Sequence, residues 1–131
     1  MNSEALELWG RAGASIKSSR ILLTNDPDGS SSRAYYAAFY AISALFALRN
    51  RFFDQDADVE KAVHGDLAKE GSWPQNLGSD YSFLCSLKAV ADYGVLNHAS
   101  PEETAEGMMA AAKIMKAVYD AHPDIFGDGE T

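Results

Sequence analysis

Seven side chains in this sequence are of types that handle phosphate groups or protons, and they fall in three places. In "SRAYYAAFYAISALFALRN" (32–50), Arg33, Tyr36 and Tyr40 stand at i, i+3 and i+7, so a helix puts them on one face. In "LKAVADYG" (87–94), Lys88 and Asp92 stand at i, i+4, with Tyr93 beside them. In "KAVHGDL" (61–67), His64 is a side chain that can exchange a proton near neutral pH. Arginine offers a planar fork of donors to phosphate, and lysine offers a point charge. Each group also has a purely structural reading. Core tyrosines pack their rings and send the hydroxyl to a neighbour, Lys88–Asp92 is an ordinary helical ion pair, and a lone histidine beside an apolar stripe is a packing residue.

Other chemistries find little to stand on. The three histidines, His64, His98 and His122, are far apart, and none belongs to an HExxH or ExxH pair, so no metal site is expected. Gly10 and Gly13 lie inside a helical pattern rather than in a turn after a strand, which excludes a phosphate-binding loop of the strand–turn–helix kind. The single cysteine, Cys85, sits in "FLCSL" and reads as a small buried hydrophobe rather than a nucleophile.

Five helical segments must position these groups, and no stretch reads as a strand. The first covers about 3–23, with Ser3 as a candidate cap and Ala5, Leu8, Trp9, Ala12, Ile16 and Leu23 on its buried stripe. "TNDPDGSSS" (24–32) is turn chemistry, with serines able to cap a second helix at about 31–52. The apolar band of that second helix is wide and alanine-rich, as a central bundle helix requires. A third helix is expected at 56–70, stopped by Gly71, and a fourth at 79–93, closed by Gly94, with Trp73 covering a core edge between them. The fifth, 101–121, has the clearest limits: Ser100 as cap, Pro101 at the first position, Glu103 completing a capping box and Pro123 beyond its end. The expectation is one all-α domain over 1–131, an antiparallel up-and-down helical bundle of four to five helices.

Composition sets limits on partners. The chain has 131 residues and a formal charge of −8, the wrong sign for broad nucleic-acid binding, though a local basic site can exist on an acidic protein. No apolar run reaches the roughly 20 residues of a membrane helix, and the N-terminus lacks the pattern of a secretory signal. The sequence reads as cytoplasmic.

"SRAYYAAFYAISALF", followed by a histidine in "KAVHGDL", then "LKAVADYG" and a capped alanine-rich last helix, resembles the HEPN family, the higher eukaryotes and prokaryotes nucleotide-binding domain, in its small stand-alone prokaryotic form. The resemblance spans about residues 30–120. It implies an all-α bundle that forms a homodimer and is often paired with a minimal nucleotidyltransferase as toxin and antitoxin. No cofactor is implied. Active members are metal-independent endoribonucleases whose motif is arginine, four to six residues, then histidine. No such spacing exists in this chain. In the family's alignment Lys88 takes the arginine position and Tyr93 the histidine position, a degenerate catalytic pair. Tyrosine, which titrates at about pH 10 in peptides, is a poor base for the 2′-hydroxyl. The resemblance implies a pocket lined by Arg33, Tyr36, His64, Lys88, Asp92 and Tyr93 that holds a nucleotide or RNA phosphate, and it makes Tyr93 a possible acceptor of modification by the transferase. The rival readings are a ribonuclease working through a variant motif and a non-catalytic interaction bundle.

Overall fold

The structure, a computed structural model, describes residues 2–69, 73–94 and 97–127. The helices are α1 (Ser3–Leu22), α2 (Pro27–Ala47), α3 (Asp56–Ala62), α4 (Gln75–Tyr93), α5 (Pro101–Ala121) and the short α6 (Pro123–Phe126); α3 runs on into a π turn, Val63–Leu67. There is no strand among the described residues. The all-α bundle expected from the periodicity is what forms.

α2 is the hub, packed against α1, α4 and α5. Its alanines explain how three neighbours fit around one helix: Ala34, Ala37, Ala38, Ala41 and Ala44 are all fully buried and keep interaxial distances short. Larger side chains fill the spaces between. Phe46, Tyr81, Ile114 and Phe126 are inaccessible to solvent, and Trp9 packs on Phe126 with ring centroids 4.8 Å apart.

α2 begins four residues earlier than the serines suggested. Asp26 caps it, its carboxylate accepting from the Gly29 N–H at 3.0 Å, and Pro27 takes the first helical position, which needs no N–H. The serines are instead buried pins. Ser30 Oγ donates to the Ser19 carbonyl at 2.6 Å, Ser19 Oγ donates to the Ser30 carbonyl at 2.9 Å, and Ser31 shares a hydrogen bond with Thr104 at 2.9 Å, tying α2 to α1 and α5. At its other end α2 stops at Ala47 rather than at 52, because Asn50 adopts a left-handed φ of 60° and the Arg51 N–H turns back to the Phe46 carbonyl at 3.0 Å.

α4 starts at Gln75 rather than 79, and Gly78 lies within it; a Cβ there would stand 3.2 Å from His64 Nδ1, so the glycine lets the histidine ring approach. Trp73 is buried in the core rather than covering its edge. The stop expected at Gly71 lies outside the described residues. Gly94 ends α4 in extended backbone, φ −70° and ψ 133°, not in a left-handed cap. The capping box of α5 forms as expected: Ser100 Oγ accepts from the Glu103 N–H at 3.0 Å, and Glu103 Oε1 accepts from the Ser100 N–H at 3.1 Å. The segment before it is held to the start of α2, since Asp28 accepts from the Ala99 N–H at 2.8 Å and contacts His98 Nδ1 at 2.7 Å.

Candidate functional site

The antiparallel packing of α2 on α4 brings four of the six sequence candidates together. Lys88 Nζ lies 5.5 Å from the centroid of the Tyr36 ring and 5.4 Å from that of Tyr93, and it pairs with Asp92 Oδ2 at 2.9 Å. A third tyrosine completes the surround: Tyr35, buried and 5.4 Å from the same ammonium. Three ring faces around one cation form an aromatic cage, each contact within the roughly 6 Å at which the ring quadrupole attracts a cation. The sequence reading passed over Tyr35 because it belongs to the apolar stripe running through Ala38 and Ile42. Its neighbour Tyr36 is one helical position round, so the pair straddles the groove where Lys88 lies. Two consecutive tyrosines at that junction were the available signal.

The electrostatics of the cage favour charge. Burial opposes ionisation of Lys88, but the Asp92 hydrogen bond together with Tyr36, Asp92 and Tyr93 outweighs it and raises the ammonium's pKa above the usual lysine value. One carboxylate oxygen engages a group that carries three donors, so the ammonium retains hydrogen-bonding capacity. The Lys88 side chain is 13% exposed, whereas Tyr93 is 76% exposed at the end of α4. The site is thus a seated cation beside an accessible phenol, on a helix face rather than in a closed cavity.

The other two candidates make no described contact with the Lys88 group. Arg33 is exposed on α2, one turn before Tyr36, with no hydrogen bond or ion pair to the Lys88 group among the described residues. His64 lies in the π turn after α3, where its Nε2 meets Ser82 Oγ at 2.8 Å and Glu60 Oε2 at 3.9 Å. Ser82 precedes Lys88 by six residues, roughly 9 Å along α4 at 1.5 Å per residue. Serine and carboxylate approach the same ring nitrogen. A nucleophilic triad instead needs the acid on the opposite nitrogen, so this arrangement orients the histidine without activating the serine.

The cage adjoins a group of weak acids, Tyr35 and Tyr81 buried and Cys85 half-buried. Burial raises the phenols of Tyr35 and Tyr81 above their usual 10.0 and pushes the Cys85 thiol up from 9.0 to about 12, with Glu60 and Asp56 adding to the last. A thiol held in its neutral form is no nucleophile at neutral pH. Each of these groups holds its proton more tightly folded than unfolded. Their contribution to stability is therefore complete below the ordinary pKa values and is lost as pH rises through and beyond them. Urea-unfolding midpoints should stay level with respect to these groups from neutral pH to about pH 9 and then fall. Tyr81→Phe should flatten that alkaline fall; an unchanged slope would remove Tyr81 from the account.

No group of three or more histidine, cysteine, aspartate or glutamate side chains among the described residues is arranged to hold a metal ion, and no described helix is long and apolar enough to cross a membrane.

Comparison with known proteins agrees with this architecture. A UPF0332 protein of Thermotoga maritima is 28% identical over 122 residues, an alignment that covers 92% of each chain. The sequence profile of the HEPN domain matches residues 5–121, from the first turn of α1 to the last residue of α5, and the Lys88 cage lies within the matched bundle. The chain belongs to the HEPN domain family.

Proposed function

We propose that this HEPN protein binds a nucleotide or RNA phosphate at the Lys88–Tyr93 face, has lost the family's ribonuclease chemistry, and works as a homodimer alongside a minimal nucleotidyltransferase for which Tyr93 is the acceptor. The observation that carries the reading is the seated Lys88 ammonium 5.4 Å from the ring of the exposed Tyr93. An incoming phosphate meets a positive charge already fixed in place, so little side-chain entropy is spent on binding. The phenol beside it is accessible to a second protein. In the modification step the Tyr93 oxygen attacks the α-phosphorus of ATP held by the transferase, pyrophosphate leaves, and the phenolic proton passes to a base of the transferase. Loss of ribonuclease chemistry rests on the pairing of lysine with tyrosine where active relatives have arginine and histidine. Neither the charge fork nor a base suited to neutral pH is supplied.

The test is purification of the protein from its native host with intact-mass measurement. Recovery of a nucleotidyltransferase with one or more AMP units on the chain, absent from Tyr93→Phe, is the expected result. AMP mapping to another residue would move the acceptor, and an unmodified chain that cleaves RNA at a rate lowered by Lys88→Ala would favour the ribonuclease reading instead.

A further inference from the structure

Across the bundle from the Lys88 cage, α1 and α5 leave a groove of about 580 Å³ between them. Its floor and walls come from Gly10, Gly13, Trp9, Met115 and Tyr119. The two glycines have no role in the packing of this chain. A Cβ added to either meets no atom within 4 Å, whereas at Gly107 in α5 it would stand 2.7 Å from Leu87 Cδ2. Glycine weakens a helix interior, so two of them three residues apart where nothing presses on them keep a surface low without serving the fold. Along the same line of α1, Leu6, Gly10, Gly13, Lys17 and Ile21 succeed one another at helical spacing, and Met109 is exposed on α5. Leu6 and Ile21 are exposed large apolar residues lying roughly 22 Å apart along the helix.

The charge of the groove is opposite to that of the molecule. Lys17, Arg20 and Lys116 line it, and among the described residues no aspartate or glutamate does and only Lys116 is paired, with Asp120 at 2.9 Å, on a chain of net charge −8. We infer that the α1–α5 groove is a docking site for an acidic amphipathic helix of a partner protein. The length of the apolar line matches four helical turns, the glycine floor lets a backbone approach closely, and the three cations select carboxylates on the incoming helix. A second copy of this chain presenting the same face would bring cations against cations, which disfavours self-association there.

The experiment uses the full chain and a fluorescein-labelled peptide of about sixteen residues, long enough to span the line. It has an alanine–leucine seam flanked by glutamates, and its twin carries lysine at every glutamate. The acidic peptide should saturate the protein with an affinity at least about tenfold above the twin's and become helical as it binds. Gly13→Leu, which fills the groove, should abolish binding without lowering the melting temperature, and the double charge reversal Lys17→Glu/Arg20→Glu should transfer the preference to the lysine twin. Should Gly13→Leu fold poorly, the charge reversal alone decides. Equal binding of the two peptides, or binding unchanged by the charge reversal, would overturn the inference. So would a change in the protein's own sedimenting mass on Gly13→Leu, since the occupant would then be a second copy.

Discussion

Lys88→Met should weaken the capture of a nucleoside phosphate by at least about tenfold, 1.4 kcal/mol, and should stop AMP transfer to Tyr93 while leaving the protein folded. The substitution keeps an apolar stem of similar length among Tyr35, Tyr36 and Tyr93 but removes the charge that their ring faces surround. Its direct cost to the fold is the cation–π attraction and the Asp92 pair. At partly exposed sites these amount to about 0.5–1 kcal/mol for the first and less for the second. Titration with a labelled nucleotide, read beside a thermal melt, separates the two effects. Unchanged affinity with a large loss of melting temperature would make Lys88 a structural pin and withdraw the phosphate site. Lys88→Arg is the companion measurement. A guanidinium keeps the full charge, can stack on an aromatic face and offers phosphate a fork of donors, so this variant should retain the binding that Lys88→Met loses.

The second large effect concerns stability alone. Phe46→Ala should cost about 3–5 kcal/mol, a fall in melting temperature on the order of 10–20 °C for a chain of this size. Phe46 is wholly buried, meets Phe53 edge-on at 5.3 Å, and carries Arg49 and Arg51 over its ring at 5.4 and 4.8 Å. Arg51 also pairs with Asp66 in the π turn. Truncation therefore opens a cavity in the core and loosens the clasp that closes the end of α2. A drop of only a few degrees would mean that neighbouring side chains collapse into the space, and the clasp would then count for little.

How much of this was written in the sequence depends on how far apart the partners lie. The limits of α5 were legible because Ser100, Pro101 and Glu103 act within one turn of each other. The core was legible in α2 because alanine and aromatic residues recur on every side of it. The start of α2 was not. Asp26 and Pro27 read as a turn when taken with Gly29, and only the finished helix shows that they are its cap and first residue. The serines at 30 and 31 misled for a physical reason: a short hydroxyl is equally suited to a cap and to a buried cross-helix bond, and the choice was made by Ser19 and Thr104, the latter 73 positions away. The site divides in the same way. Lys88, Asp92 and Tyr93 are neighbours on one helix, so their grouping followed from spacing, and Tyr36 joined them through the packing of α2 on α4. The convergence expected of His64 and Arg33 requires tertiary geometry that local periodicity does not contain, and no described contact joins either of them to the cage.

The position of α2 at the centre of the bundle has a further consequence. With α1, α4 and α5 against it and Ala34, Ala37, Ala38, Ala41 and Ala44 wholly covered, the buried side of its middle turns is sealed from water. Exchange of the amides there is expected to report openings close to the global unfolding free energy. α6, a single turn, and α3 with its π turn pack on fewer elements, so less of the fold must open to expose their peptide groups. Hydrogen exchange should therefore run slowest in α2 and faster in α3 and α6. The Lys88 cage is built from α2 and α4, so openings of α3 and α6 should leave its tyrosines in place.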